Sequence, residues 1–387
     1  MTAHPADSEP NKVAAAPRAP LRETGVAQVM TSTRFGKHPT AFTATGLPIL
    51  RLALDVHSMD PALTPLLTAL DSSLDSSLDS SLAGQPPRLA YARLLAYKKG
   101  NRGIISYSFE DAGGAVLTVL GKLYPQPTQV TRVHSLLDAL YRQAFADRPG
   151  LEVPRPLGTV LDLSMLVYLP VEGTPLDEVL SGPRAVQAIR RTAAWLDALH
   201  AAPLSLDRKL QPATEVVNLQ AWAALVGQTH PTEGARAARL ASDLEATASR
   251  LPMTGETVIH KDFHYKHVLV DEVDLGVRVI DFDEVRLGDP MYDVAHFSAH
   301  LRLLACRNPR DAGSIAALEG TFLDAYTEQS GRALGHSFFW YATYTCLKIA
   351  KQLCTVRGVR PRPDDEEQLR QLTAILDQGL AFRDLLQ

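Results

Sequence analysis

The feature that most constrains this chain is a pair of acidic motifs, "HKDFHYKH" at 260–267 and "IDFD" at 280–283. Between them lie two short apolar runs, "VLV" and "VRVI", which have the composition of β strands. If these runs pair as a hairpin, the loop before the first and the residue after the second meet at one open end. The two motifs therefore predict a site that combines Asp262 with Asp281.

The bulk composition limits the kind of protein and its partners. The chain has 387 residues, 45% hydrophobic and 21% charged, as in an ordinary soluble globular protein with room for two lobes. A net charge of −4 argues against a nucleic-acid partner, which usually requires a basic surface. No apolar run has the length of a membrane span, and the opening residues lack a signal-peptide core. We therefore expect a cytoplasmic protein without membrane contact.

The distribution of strand and helix patterns predicts an α+β protein with two lobes. Residues 1–45 are rich in Ala, Pro, Thr and Ser, which predicts a disordered tail. Residues 46–87 are predicted to form a helical extension followed by a low-complexity linker. The linker contains the repeat "DSSLDSSLDSSL", which is typical of a frayed helix end or a flexible segment. Strand-length runs separated by glycine turns predict an antiparallel β-rich N-lobe at 88–170. The helical patterns of residues 171–387 predict a larger α-helical C-lobe.

Helical periodicity gives the approximate bounds of the predicted helices. One helix is predicted over 128–145 in the N-lobe, after a three-stranded meander, and two further short strands end near Tyr168. In the C-lobe, long helical segments are predicted around 184–201, 215–229, 234–249, 290–305, 311–331, 336–355 and 364–385.

A lysine in the N-lobe completes a set of groups suited to phosphoryl transfer. Lys122 lies late in the third predicted strand, between apolar residues, which favours a buried functional side chain over an exposed strand lysine. Enzymes that transfer phosphate from ATP often combine such a lysine, which neutralises phosphate oxygens, with two aspartates from the other lobe. One aspartate holds Mg²⁺, and the other orients the attacking hydroxyl and accepts its proton.

Several motifs together resemble the aminoglycoside phosphotransferase and choline kinase family, which is related to the protein kinases. They are the two acidic motifs, "GDPMYDVA" at 288–295, "LDALH" at 196–200 and the hinge-like "LVYLPVEGTPL". The resemblance covers the chain from about Arg88 to near the C-terminus. It implies a two-lobed protein-kinase-like fold and an ATP-dependent kinase that phosphorylates a hydroxyl of a small-molecule acceptor. The implied cofactors are ATP and Mg²⁺, with Mn²⁺ as an alternative metal.

The same resemblance assigns roles to individual residues. Asp262 would be the catalytic base and Asp281 the principal magnesium ligand, with Asp283 either a second metal contact or a turn residue. Lys122 would contact the phosphates. The other nucleotide-binding residues would lie in the first turn and at the hinge: Lys99, Gly100, Arg102, Gly103, Val167 and Leu169. Three residues would support the site: His260 as a scaffold, Asp289 as the cap of the next helix, and Asp293 as a brace below the loop.

One departure from the family pattern concerns the metal. The family has asparagine at the position of His267, and Mg²⁺ prefers oxygen, whereas imidazole suits zinc, iron or, less strongly, manganese. Four alternatives follow: Asp281 and Asp283 suffice, His267 contacts a phosphate, the protein uses Mn²⁺, or catalysis is lost. The last would make the protein a nucleotide-binding pseudokinase or regulatory module. Retained catalysis is favoured because Lys122, Asp262 and Asp281 are all present.

A second departure concerns the partner of Lys122. The family usually has a glutamate for it on the helix after the third strand. The segment 128–145 has no glutamate, and Asp138 and Gln143 are the candidates that remain.

The histidines of the first motif also allow a zinc site to be considered. His264 is expected to be a solvated loop residue. A helical zinc hydrolase motif would need a glutamate directly after the first histidine, which this chain lacks. A protein kinase is disfavoured too, because no glycine-rich G-x-G-x-x-G loop is present. The small-molecule kinase is therefore the leading hypothesis.

Overall fold

The protein folds into a small β-rich lobe followed by a larger helical lobe, which confirms the predicted α+β class. The structure is a computed structural model and describes residues 49–71, 87–98, 102–355 and 366–386. The strands are β1 (Arg88–Lys98), β2 (Arg102–Glu110), β3 (Val116–Leu123), β4 (Leu151–Glu152), β5 (Pro156–Val160), β6 (Met165–Tyr168), β7 (Thr174–Pro175), β8 (Thr257–Ile259), β9 (Val268–Val270), β10 (Val277–Val279) and β11 (Arg286–Gly288).

Most of the helices belong to the larger lobe. None of those in the described ranges is long and apolar enough to span a lipid bilayer. They are α1 (Ile49–Ala53), α2 (Val56–Asp71), α3 (Pro127–Ala139), α4 (Leu176–Val179), α5 (Ala185–His200), α6 (Pro212–Glu215), α7 (Leu219–Thr229), α8 (Pro231–Thr247), α9 (Met291–Arg307), α10 (Ala312–Ser330), α11 (His336–Cys354) and α12 (Glu366–Asp384).

The small-lobe sheet has five antiparallel strands in the order β1-β2-β3-β6-β5, so the predicted meander is confirmed. The turn between β2 and β3 is fixed by Asp111, whose Oδ1 accepts the backbone N–H groups of Gly113 at 2.8 Å and Ala115 at 2.7 Å. Gly114 has φ +80° there, a conformation that favours glycine. The sheet places Lys122 in an interior strand, paired with Ile104 and Leu166.

Helices α1 and α2 cover the outer face of this sheet. Leu50, Met59 and Leu63 are buried in one apolar cluster with sheet residues such as Tyr107. The Tyr107 hydroxyl donates a hydrogen bond to the Ala53 carbonyl at 2.7 Å, which satisfies its buried oxygen. The predicted helical extension is thus present up to Asp71, and the rest of the serine–leucine repeat lies outside the described residues, as does the predicted tail.

The larger lobe contains a helix at each of the seven predicted C-lobe segments. The helix predicted over 215–229 is divided into α6, a short 3₁₀ turn and α7. In the small lobe, the helix predicted over 128–145 is α3 followed by a π-helical turn, Leu140–Ala144. A four-stranded sheet in the order β4-β10-β9-β7 lies among these helices and contains the predicted hairpin of β9 and β10.

The contact between α7 and α8 gives a stability prediction. A Cβ at Gly234 would lie 2.3 Å from the Gly227 Cα, and backbone cannot move aside as a flexible side chain can. Gly234→Ala is therefore expected to lower the free energy of unfolding by about 1–3 kcal/mol, the usual cost of overpacking. The matched control is Gly320→Ala in α10, where a Cβ meets no atom within 4 Å; it should raise stability by about 0.5–1 kcal/mol. Urea unfolding of both variants checks this, and a neutral Gly234→Ala would contradict it.

Candidate active site

The β9–β10 hairpin brings the two acidic motifs together. Val268 at the start of β9 is paired with Val279 at the end of β10, so the preceding loop and the following residues lie at the same end. The Ile280 N–H donates to the His267 carbonyl at 3.0 Å and ties the two motifs directly. Asp281 then turns the chain with φ +70°, a conformation uncommon outside glycine. The sequence prediction of a shared mouth for both motifs is confirmed.

Lys122 reaches from the small lobe to the second acidic motif. Its Nζ lies 3.0 Å from Asp281 Oδ1 and 2.7 Å from Asp283 Oδ1, and the residue is only 5% exposed. The Tyr124 hydroxyl donates to the same Asp283 oxygen at 2.8 Å. Burial and the neighbouring Asp283 raise the pKa of Tyr124 well above its usual range, so the phenol stays protonated as a donor. The lysine therefore points into the crevice between the lobes.

The helix candidates for pairing with Lys122 were wrong. Asp138 instead accepts a hydrogen bond from Arg142 on its own helix at 2.7 Å, and Gln143 lines a separate cavity with Asp147 and Arg148. The lysine takes its partners from the other lobe, because Asp283 follows the hairpin closely enough to reach it. Asp283 therefore pairs with Lys122, which is the role that a helix glutamate has in the family pattern.

Arg102 adds a second cation to this cluster. Its guanidinium contacts Asp283 Oδ2 and lies 3.5 Å from Asp281 Oδ1. Both oxygens of Asp283 are thus engaged, one by Lys122 and Tyr124 and the other by Arg102. Gly103 lies next to Arg102 in β2, buried against β3. The other two turn residues named from the sequence, Lys99 and Gly100, lie outside the described residues.

His267 lies between the two catalytic candidates. Its Nδ1 donates to the Asp262 carbonyl at 2.9 Å, which leaves the lone pair on Nε2 because a carbonyl only accepts. That Nε2 is 3.7 Å from Asp281 Oδ2, and Asp262 Oδ2 is 3.9 Å from the ring Nδ1. A histidine that donates one ring nitrogen to a carbonyl and presents the other to a carboxylate is oriented as metal-ligating histidines commonly are.

The expectation that His264 is solvated was wrong. The residue is 8% exposed, and its ring lies 4.0 Å from that of His267 and 4.7 Å from that of His300, centroid to centroid. Burial, reinforced by these two neighbours, holds the pKa of His264 well below its ordinary value, so the ring is neutral near pH 7. The physical reason is that α9 covers the loop, which also buries the flanking Phe263 and Tyr265.

The ligand atoms of Asp262, His264 and His267 lie within 4.8 Å of one another, which reopens the question of a zinc site. His264 Nδ1, however, accepts the Lys266 N–H at 3.2 Å. The neutral ring then carries its proton on Nε2 and offers no lone pair there. This arrangement favours His267 over His264 as a metal ligand.

Buried polar residues hold the loop in place. Asp293 accepts the backbone N–H groups of His260 at 2.6 Å and Lys261 at 2.8 Å, and Lys261 has φ +66°. The His260 ring donates from Nε2 to the Ile280 carbonyl at 3.2 Å. Asp289 accepts the Met291 N–H at 3.0 Å, at the start of α9. Asp293 thus holds the loop backbone, His260 connects it to the residue before Asp281, and Asp289 contacts the first residue of α9.

The residues predicted to form the hinge lie in and directly after β6. Val167 is buried in the outer cluster beneath α1 and α2, so only its backbone can face a ligand in the crevice. The Leu169 N–H donates to the Arg155 carbonyl at 2.9 Å. Tyr168, between them, is buried on the side of the larger core. Alternation along the strand is why Val167 and Tyr168 face opposite ways.

Two residues near Asp262 were missed from the sequence. Its Oδ1 lies 3.6 Å from His296 Nε2 in α9 and 3.9 Å from Lys348 Nζ in α11. The only sequence signal was the spacing of His296 and His300 by one helical turn, in a helix that reads as core. Lys348 gives no local signal at all, because only the packing of α11 brings it to the loop.

The chain belongs to the phosphotransferase enzyme family, whose model matches residues 102–333. Viomycin phosphotransferase of Streptomyces vinaceus is 31% identical over 199 residues, which are 45% of this chain and 68% of that protein. A solved structure from Ralstonia eutropha, provisionally described as an aminoglycoside phosphotransferase, covers 83% of this chain and 98% of its own, with a TM-score of 0.52 and 15% identity. The family resemblance and the two-lobed protein-kinase-like fold predicted from the motifs are both confirmed.

Proposed function

We propose that this protein is an ATP-dependent kinase that transfers the γ-phosphate to a hydroxyl group of a small molecule. The observation that carries this proposal is the convergence of Lys122 from the small lobe on Asp281, which His267 connects to Asp262. A cation, a metal-binding carboxylate and a second carboxylate at one interlobe crevice are the parts that phosphoryl transfer requires. The proposed lobes are residues 88–170 and 171–387, with the nucleotide between them.

Each part has a role in the proposed reaction. The acceptor hydroxyl oxygen forms a bond to the γ-phosphorus, and the bond from that phosphorus to the bridging oxygen breaks. The bond's electron pair leaves with ADP, and Asp262 accepts the hydroxyl proton. Lys122 neutralises phosphate charge. Asp283, with both oxygens engaged by Lys122, Tyr124 and Arg102, positions the lysine in place of the absent helix glutamate.

Asp281 and His267 fit a divalent metal ion. A carboxylate oxygen and an imidazole lone pair 3.7 Å apart suit two ligands of one ion. Such an ion would neutralise charge on the transferring phosphate. Because imidazole is a poorer ligand for Mg²⁺ than for Mn²⁺, this pair favours Mn²⁺ more than an asparagine would.

The proposal is tested by incubating the protein with ATP and either Mg²⁺ or Mn²⁺ against a panel of hydroxyl compounds. Phosphorus NMR would detect a phosphorylated acceptor and ADP in equal amounts. ATP binding without transfer to any compound, under either metal, would contradict the kinase and support a regulatory nucleotide-binding module. Failure to bind ATP would contradict both.

The metal preference gives a separate prediction. The His267→Asn variant should raise the ratio of the Mg²⁺-supported to the Mn²⁺-supported rate by about tenfold, since the change supplies an oxygen ligand. The measurement is kcat at saturating metal for both ions. His336→Asn, at an exposed histidine at the start of α11, is the control and should leave the ratio unchanged. An unchanged ratio in His267→Asn would show that His267 does not bind the metal.

A further inference from the structure

The two oxygens of Asp262 face different surroundings. Oδ2 lies 3.9 Å from His267, on the side that leads to Asp281 and the phosphate-binding cations. Oδ1 lies 3.6 Å from His296 Nε2 and 3.9 Å from Lys348 Nζ. If Asp262 takes the proton of the acceptor hydroxyl, the groups beside Oδ1 are those that an acceptor on that side would meet.

The groups beside Oδ1 donate hydrogen bonds or carry positive charge. His296 is fully buried, and its Nδ1 lies 3.4 Å from the Thr345 hydroxyl. Its Nε2 is buried and has no hydrogen-bond partner among the described residues. A buried polar atom that lacks a partner costs free energy, so a ligand oxygen there would satisfy it. Lys348 is paired with Asp262 and retains about one fifth of its side-chain surface exposed.

The histidines of this region are neutral, so the lysine supplies the charge. Burial, reinforced by Lys348, lowers the pKa of His296 to about 4. Burial and the adjacent His296 place the pKa of His300 well below its ordinary value. Neutral rings donate or accept hydrogen bonds, whereas the lysine ammonium attracts an anion.

Two carboxylates on the neighbouring elements already have partners. Glu215 accepts from Lys261 Nζ at 2.9 Å and from the Tyr344 hydroxyl at 2.9 Å. Glu319, on the helix that packs against α9, pairs with Arg302 at 2.8 Å. A cationic acceptor would therefore meet the ammonium of the Lys348–Asp262 pair and two acids whose charge is already balanced.

We propose that the acceptor is an anionic hydroxyl compound, whose carboxylate or phosphate binds Lys348 while His296 donates a hydrogen bond to one of its oxygens. This inference rests on the proposed kinase function and names the substrate class of the same site. Asp262 accepts the proton of the hydroxyl that becomes phosphorylated, as in the reaction above. The anionic group lies close to that hydroxyl, because Lys348 and Asp262 are neighbours.

Matched compounds test the charge preference directly. D-glucose, D-glucosamine, D-glucuronate and D-glucose 6-phosphate share one scaffold, as do glycerol, serinol, D-glycerate and glycerol 3-phosphate. In each series kcat/KM for ATP-dependent phosphorylation should be at least about tenfold higher for an anionic member than for the neutral or amine member. A factor of about ten is what one hydrogen bond to a charged group contributes to binding. Comparison of the carboxylates with the phosphates distinguishes the two kinds of anion.

Variants on α11 test the role of Lys348. Lys348→Met should raise KM for the anionic acceptor by about tenfold, and Lys348→Glu should favour the amine. The matched control is Lys351→Met on the same helix, whose ammonium lies over the Trp222 ring at 5.4 Å; its KM for the acceptor should be unchanged. A thermal-shift titration with ATP verifies that each variant folds and binds nucleotide.

The possible failures are distinguishable. If neutral or amine compounds are phosphorylated as well as the anionic ones, the kinase proposal stands and the anionic acceptor is wrong. The same conclusion holds if ATP binds but no anionic compound in either series is phosphorylated or bound while another compound is. If ATP neither binds nor reacts with any acceptor, the kinase proposal itself is contradicted, and the anionic acceptor with it.

Discussion

In the Asp262→Asn variant, acceptor phosphorylation is expected to fall by about 10²–10⁴-fold, the contribution typical of a positioned general base. The amide has nearly the same shape as the carboxylate but cannot accept the hydroxyl proton. Lys122 and Asp281 are unaltered, so the affinity for ATP should change little. The measurements are kcat with a saturating acceptor and the dissociation constant for ATP.

The control for this variant is Asp138→Asn, which removes a carboxylate from an exposed ion pair with Arg142. It should have nearly wild-type kcat, because exposed pairs contribute little. If Asp262→Asn kept most of the wild-type rate with ATP binding intact, Asp262 would not be the base. A parallel loss of ATP affinity would instead indicate a structural role for the carboxylate.

The Asp293→Ala variant is expected to lose about 3 kcal/mol or more of folding stability. Two backbone N–H groups, the buried one of His260 and the partly buried one of Lys261, would lose their acceptor, at about 1–3 kcal/mol each. Lys261 would also lose the contact that holds its positive φ, which is unfavourable without support. Urea unfolding and the melting temperature measure the loss.

The comparison for Asp293→Ala is Asp324→Ala, at an exposed aspartate of α10. Its stability should lie within about 0.5 kcal/mol of the wild type, as for most surface substitutions. An Asp293→Ala protein as stable as this control would show that the loop holds its conformation without the brace. The supporting role assigned to Asp293 would then be wrong.

The hairpin and its carboxylates were predictable because their determinants are local. Two short apolar runs and a turn place Asp262 and Asp281 together whatever the rest of the chain does. The β2–β3 turn was likewise predictable, since Asp111 and its glycines fix it within a few residues. Position 283 lay within the same motif, yet its role stayed undecided because its partner Lys122 is on the other lobe.

The contacts that could not be predicted depend on the packing of helices that are distant in sequence. Lys348 reaches Asp262 only because α11 packs against α9. His264 was misjudged for the same reason: a histidine predicted to lie in a loop reads as solvated until a helix covers it. Helical periodicity shows which face of α9 is apolar, but it does not show what that face covers.

The most direct test of the central claim is a crystal structure with a non-hydrolysable ATP analogue and Mn²⁺, using the anomalous signal of the metal. We predict the triphosphate on Lys122 and a manganese ion bound by Asp281 and His267, with Asp262 facing the γ-phosphate. A nucleotide bound away from the crevice, or a metal held without Asp281, would contradict it.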